Sequence, residues 1–223
     1  MKKYFSFFQK PVVNSFLPIC IKVQEFQCLV VGGGKVAIAR IEKLLLMKAT
    51  VTIISPTIIA KGKKFLNHPS VVFKKRKFRY NDLNYYNLIF TCTNSIQVNS
   101  QIELRSKKLG LLINRADQGE GNFVLPAFFK KDPIMVSVMT HKMLPSLSKE
   151  IKNWLELLIT NQIIKKSKLL IKFKEKLKQA PIPMLHYEKY LQQWSKWILN
   201  SKITPKMYAH KIQTGIRNIK QKR

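Results

Sequence analysis

Residues Cys28 to Ala37 read CLVVGGGKVA, and this stretch constrains the fold more than any other. An apolar run of strand character enters three consecutive glycines, and a run of helical character follows. The spacing Gly32-x-Gly34-x-x-Ala37 matches the turn that holds a dinucleotide pyrophosphate. Gly32 permits the tight turn, Gly34 lets the backbone approach the phosphates, and the small Ala37 lets the helix pack close to the strand. The helix N-terminus then directs its N–H groups and the positive end of its dipole at the anion. A ligand-free strand–helix turn is the alternative. A second strand pattern at residues 51–55, VTIIS, lies where a Rossmann unit requires one.

The alternation continues through the first half of the chain. Strand patterns are expected at residues 27–31, 51–55, 71–75, 86–91 and 111–114, with helices at 36–47 and 98–108. Short apolar strands separated by helical stretches predict a parallel sheet covered on both faces. After Asp117 the pattern changes. Residues 123–129 and 134–140 read as two antiparallel strands joined at Lys130-Lys131-Asp132-Pro133. From Leu147 the apolar residues recur at helical spacing through Ile151, Leu155, Leu158, Ile159, Leu170, Phe173 and Leu177. Pro181 and Pro183 break that helix, and residues 187–199 and 205–219 read as two more. The expected class is α/β: an N-terminal Rossmann parallel sheet, a short β region and a C-terminal helical domain. The expected boundaries are an extension at 1–16, then 17–116, 117–147 and 148–223.

Composition excludes several alternatives. The net charge of +30 invites a nucleic-acid reading, but the lysines are spread over the whole length. Residues 151–223 carry 17 Lys/Arg against 3 Glu, with no finger, helix-turn-helix or aromatic RNA-binding motif beside them. Retention of polyanions at low salt is expected; a dedicated nucleic-acid partner is not. Cys20, Cys28 and Cys92 lack metal-type spacing, and Cys28 and Cys92 fall in strand patterns. No metal site and no disulfide framework are expected, which suits a reducing cytoplasm. No apolar run reaches the ~20 residues that cross a bilayer, so no membrane association is expected. The N-terminal aromatic stretch is too broken by Gln9, Lys10 and Asn14 to serve as a signal peptide.

Five collinear strings carry a resemblance. LPICIKVQEFQCLVVGGGKVA, VTIISP, LIFTCTNS, INRAD and NFVLPAFFKKDPIMVSVMT, between Leu17 and Thr140, are similar in order and spacing to the precorrin-2 dehydrogenase/sirohydrochlorin ferrochelatase family. This is the family of the N-terminal module of sirohaem synthase. The resemblance covers Leu17 to about Leu155. It implies NAD-dependent oxidation of precorrin-2 to sirohydrochlorin, followed by ferrous iron insertion. It also implies a homodimer formed through residues 117–147. Dehydrogenation without chelation, and a nucleotide-binding module without catalysis, are the alternatives.

The resemblance assigns roles to particular residues. Asp117 corresponds to the family's general acid/base. A strand-end carboxylate beside the cofactor crevice can take a proton as hydride leaves, and partial burial is expected to raise its pKa toward neutrality. A loop-capping aspartate is the bland alternative. NAD is expected against Gly32, Gly33, Gly34, Lys35 and Val36. Ser55, Pro56 and Thr57 stand where many NAD sites place an acid for the ribose, so hydroxyl and backbone groups must substitute. Thr93 and Asn94 are expected near the ribose or nicotinamide. The tetrapyrrole, which carries eight carboxylates, is expected against Asn114, Thr140, His141 and Lys142, with Lys130 and Lys131 as further cations; a plain surface charge is the alternative for Lys130, Lys131, His141 and Lys142, and for Asn114 the alternatives are orienting Asp117 or a structural amide. His141 and Lys142 replace two glycines of the family pattern, and this narrows the expected cleft.

Overall fold

The structure, a computed structural model, describes residues 16–117, 119–140, 144–179, 188, 191–196, 207, 210, 214 and 217, without the side chains of 176 and 177. His141 and Lys142, most of residues 1–16 and most of the two last expected helices lie outside these residues. Two compact units divide the chain, residues 1–125 and residues 126–223.

The first unit is a five-stranded parallel sheet in the order β3-β2-β1-β4-β5. The strands are β1 (Gln27–Val31), β2 (Thr50–Ile54), β3 (Val71–Lys74), β4 (Leu88–Thr91) and β5 (Leu112–Arg115). The reversal of strand order between β1 and β4 opens a crevice at the strands' carboxyl ends. β1 explains why the central strands are apolar throughout. Cys28 and Val30 join a cluster with Ala37, Ile38, Ile41 and Leu44 of helix α1 (Lys35–Leu46). Leu29 and Val31 join an opposite cluster with Ile102 of helix α2 (Ile96–Lys108). Alternate residues therefore enter two cores, and a continuous apolar run is the only pattern that fills both. The expected five strands and two helices all form, with ends shifted by one or two residues.

The crossovers from β2 to β3 and from β3 to β4 contain only short 3-10 turns, Ala60–Phe65 and Tyr80–Tyr85. In the second unit, β6 (Ala127–Lys131) and β7 (Ile134–Val138) pair antiparallel. The expected strand at 123–129 begins later, because Pro126 has no N–H to give a ladder. Phe123 and Leu125 instead pack on the first core. The strand also runs on past the expected turn, as Lys131 pairs with Ile134 across Asp132-Pro133. The helical pattern from Leu147 resolves into α3 (Pro145–Leu158) and α4 (Asn161–Lys178). The Thr160 hydroxyl accepts from the Ile163 N–H at 3.4 Å, which marks a fresh helix start.

The end of α1 carries a local cost visible in its sequence. Lys48 N–H donates to Leu45 C=O at 2.9 Å and Ala49 N–H to Leu44 C=O at 3.0 Å, a closing geometry that needs a left-handed residue. Lys48, at φ 62°, fills the place glycine usually takes. Lys48→Gly is expected to raise unfolding free energy by about 1 kcal/mol in urea titrations, by removing the Cβ penalty of that conformation.

Candidate functional site

The glycine turn is built against its neighbours. Gly32 sits at φ +120°, and a Cβ there would lie 2.4 Å from the Cys92 carbonyl oxygen. At Gly33 a Cβ would lie 2.0 Å from the Thr57 carbonyl oxygen. Both glycines are thus required by backbone that passes close by. Gly34 differs: nothing lies within 4 Å of a Cβ built there, so the surface above it is open. Gly34 caps α1 without a side-chain bond, and the first turn holds no acid. That leaves N–H groups and the dipole directed at a free surface, which fits a phosphate. Ala37, fully buried, lets α1 sit close to β1. Lys35 and Val36 are exposed beside the turn.

The other expected cofactor residues line the same carboxyl edge. Ser55 follows β2 and is buried; its hydroxyl donates to the Thr57 carbonyl at 2.7 Å. Pro56 and Thr57 are exposed after it. Thr93 and Asn94 follow β4. Residues of this edge can hold a dinucleotide: Gly32 to Val36 the pyrophosphate, Ser55 to Thr57 the adenosine half, Thr93 and Asn94 the other half.

Asp117 stands two residues past β5, on the same edge, in a polar network. Arg115 grips it with two bonds, Nε to Oδ1 and Nη2 to Oδ2, each 2.7 Å. Asn99 of α2 donates to Oδ2 at 3.0 Å, and the Gly119 N–H donates to Oδ1 at 3.3 Å. The Thr93 hydroxyl meets Asn99 Oδ1 at 2.7 Å, so the loop after β4 and the carboxylate after β5 share one buried amide. Arg115 also donates from Nη1 to Glu103 at 2.7 Å and to Ser100 at 3.0 Å. Glu103 in turn pairs with Lys107 and accepts the Gly121 N–H at 2.9 Å.

This network reverses one expectation. The Arg115 guanidinium, outweighing the opposing effect of burial and aided by Asn99 and Gly119, holds the Asp117 carboxyl well below the usual carboxylate range. Burial had been expected to raise it. The doubly bonded ion pair decides the direction because a forked guanidinium stabilises the charged form more than partial desolvation disfavours it. Asp117 is therefore a fixed anion in this arrangement. Glu103 is lowered as well, burial being overcome by Lys107 and Arg115. Cys28 and Cys92, pushed up to about 11 and about 12 by burial, are poor nucleophiles.

Among the expected substrate residues, Asn114 is buried at 5 % exposure on the face opposite Arg115. Its amide donates to the Phe123 carbonyl at 3.1 Å, while its Oδ1 has no protein partner. Orienting Asp117 thus falls to Arg115 and Asn99. In the second unit, the Thr140 hydroxyl bonds the Leu144 carbonyl and meets Ser148 Oγ at 2.7 and 2.8 Å. Lys131, expected as a cleft cation, instead donates to the Glu156 and Ile159 carbonyls at 2.6 and 3.1 Å. An ammonium at a helix C-terminus satisfies orphan carbonyls and the negative dipole end. Lys130 is exposed. Among the described residues no group of three His, Cys, Asp or Glu could hold a metal.

Arg115, Asn99 and Glu103 were missed in the sequence. The signal available was polar residues at Asn99, Glu103 and Ser106 on the helix face that also carries Ile102. Replacing Arg115 with Gln is expected to cost about 3 kcal/mol at neutral pH. A lowered carboxyl stabilises the fold above its unfolded-state value and loses that contribution as pH falls through the folded value. The difference between wild type and variant is therefore full above about pH 5 and shrinks below about pH 4. Urea titrations across pH measure it.

A family model described as "Putative NAD(P)-binding" matches residues 19–127. The siroheme synthase of Nitrosomonas europaea is 26 % identical over 185 residues, covering 82 % of this chain and 38 % of its own length. That of Blochmanniella pennsylvanica is 28 % identical over 193 residues, covering 86 % and 40 %. This chain therefore spans about two fifths of the relatives it matches. The solved structure described as "SirC, precorrin-2 dehydrogenase" superposes with a TM-score of 0.75 over 89 % of this chain and all of that one. Its sequence identity is 22 %, and the likeness shows the fold. The glycine turn, the sheet order and these matches agree on a dinucleotide-binding fold, in a chain similar over most of its length to part of the siroheme synthases.

Proposed function

We propose that the protein oxidises precorrin-2 to sirohydrochlorin with NAD as hydride acceptor. The observation that carries this reading is the shared carboxyl edge. The open surface at Gly34 and the ionised Asp117 both border it, and Asn99 links Asp117 to the nucleotide-side Thr93. The siroheme synthase relatives and the precorrin-2 dehydrogenase fold support the substrate class.

NAD supplies an oxidised nicotinamide that accepts two electrons and a proton equivalent as hydride. Gly32, Gly33, Gly34, Lys35 and Val36 bind its pyrophosphate. Ser55, Pro56 and Thr57 hold the adenosine half, and Thr93 and Asn94 the nicotinamide half. Loss of hydride leaves positive charge on the macrocycle. A carboxylate fixed by Arg115 stabilises that charge without reorganising, which is the larger part of its value. Asp117 then takes the ring proton, and the Arg115 fork must loosen for that step, because a carboxylate so held is a weak base. Asn114 Oδ1 is a buried acceptor with no protein partner.

Ferrous iron insertion into sirohydrochlorin is the second step of the proposal, with iron as substrate and Asp117 removing pyrrole protons. The proposal extends to a homodimer formed through residues 117–147, to a cytoplasmic location, and to Thr140, His141 and Lys142 as substrate contacts. No helix among the described residues is long and apolar enough to cross a membrane.

Anaerobic incubation with precorrin-2 and NAD, followed by absorbance, is expected to yield sirohydrochlorin, and ferrous iron then sirohaem. Asp117→Asn is expected to lower the oxidation rate by about 10²- to 10⁴-fold with NAD affinity unchanged. An active Asp117→Asn variant would remove the residue from the mechanism. Sirohydrochlorin without sirohaem would limit the protein to dehydrogenation.

A further inference from the structure

We propose that Arg40 binds a peripheral carboxylate of the tetrapyrrole, selecting a ring whose rim carries acidic arms; this rests on the substrate reading above. Arg40 lies on α1 between the buried Ala37 and the buried Leu44, at helical spacing from both. That places it beside the stripe of α1 that faces the sheet. Helical side chains lean toward the N-terminus, so the guanidinium is carried toward the carboxyl edge. Arg40 is half-buried, and its field reaches the Cys92 thiol just past the tip of β4.

A cation in such a place ordinarily meets a carboxylate, and Arg40 meets none. Among the described residues no hydrogen bond or ion pair reaches its nitrogens, and its Nε is buried without a partner. Burial lowers its pKa, and only the Cys92 group acts against that. The Cys92 thiol, itself pushed up to about 12 by burial, stays protonated at neutral pH and supplies no anion. Acids of the first unit are engaged elsewhere. Glu42, on the same helix, meets Lys64 at 3.3 Å and Lys61 at 3.9 Å. Asp117 is gripped by Arg115, and Glu103 by Arg115 and Lys107. An unpaired, partly desolvated guanidinium weakens the fold, and a ligand that brings its own anion offsets this.

The placement points to which ligand. The Cys92 thiol feels both the Arg40 cation and the Asp117 anion, so both charges stand near the tip of β4. In the proposed reaction the ring reacts beside Asp117, and acetate and propionate arms extend from its rim. Arg40 offers one of these arms a planar fork that matches a carboxylate. The dinucleotide is served differently in the proposed complex, its pyrophosphate being met by the uncapped N–H groups and dipole at the start of α1.

Calorimetric titration of the full chain with sirohydrochlorin under anaerobic conditions, and separately with NAD, tests this. Arg40→Met is expected to weaken sirohydrochlorin about 10- to 100-fold while leaving NAD within about twofold. Arg40→Lys is expected to bind sirohydrochlorin with intermediate affinity, because an ammonium keeps the charge and loses the fork. In urea titrations without ligand, Arg40→Met is expected to be at least as stable as wild type, since an unpaired charge has been removed. Arg40→Met that binds sirohydrochlorin as wild type does, or that weakens NAD by the same factor, would overturn the inference and leave the substrate reading standing. So would a marked loss of stability in that variant, which would make Arg40 a packing residue. Wild type that takes up NAD and no sirohydrochlorin would overturn the substrate reading itself.

Discussion

The close approach of three backbone segments at Gly32 and Gly33 is the constraint on which the site depends. The Cys92 carbonyl crowds one glycine and the Thr57 carbonyl crowds the next. The Gly32 N–H reaches Ile54, and the Ile59 N–H reaches Gly33, each at 3.0 Å. These contacts join the ends of β1 and β2 and the start of the loop after β4 into one rigid rim. The helix that begins at Gly34 is aimed by that rim, and its N-terminus faces open space because no side chain caps it. A cradle of this kind suits a phosphate group.

The second organising feature is electrostatic. Arg115 lies between two carboxylates, Asp117 and Glu103, and Glu103 is backed by Lys107. Two cations and two anions alternate along the α2 edge of the sheet, with Arg115 only 7 % exposed. Pairing at such depth makes the charge state of Asp117 insensitive to physiological pH. A fixed negative charge and a mobile proton acceptor are different catalytic devices. In the proposed reaction Asp117 serves as the first, and the second is conditional on movement of the Arg115 fork.

Much of the first unit was legible in the sequence for a simple reason. Strands buried on both faces read as unbroken apolar runs, and QCLVV and LIFT have no other stable placement in an α/β fold. The glycine turn was legible because positive φ and backbone crowding demand glycine. The 3-10 crossovers were not, since residues 60–65 and 80–85 carry neither helical nor strand period. The Asp117 pair escaped for another reason. Arg115 and Asp117 stand two apart in sequence, but their partners Asn99, Ser100 and Glu103 come from a different element, and a buried ion pair is set by that tertiary meeting. Lys131 was misread similarly: its carbonyl partners lie at Glu156 and Ile159, which no local pattern indicates.

Amide chemical-shift mapping during titration with NAD tests the central claim most directly, because it reads location as well as affinity. The account predicts saturable shifts concentrated at Gly32, Gly34, Lys35, Val36 and Thr93, with a smaller response at Asp117 carried through Asn99. Absence of saturable binding, or shifts confined to residues 126–223, would contradict it.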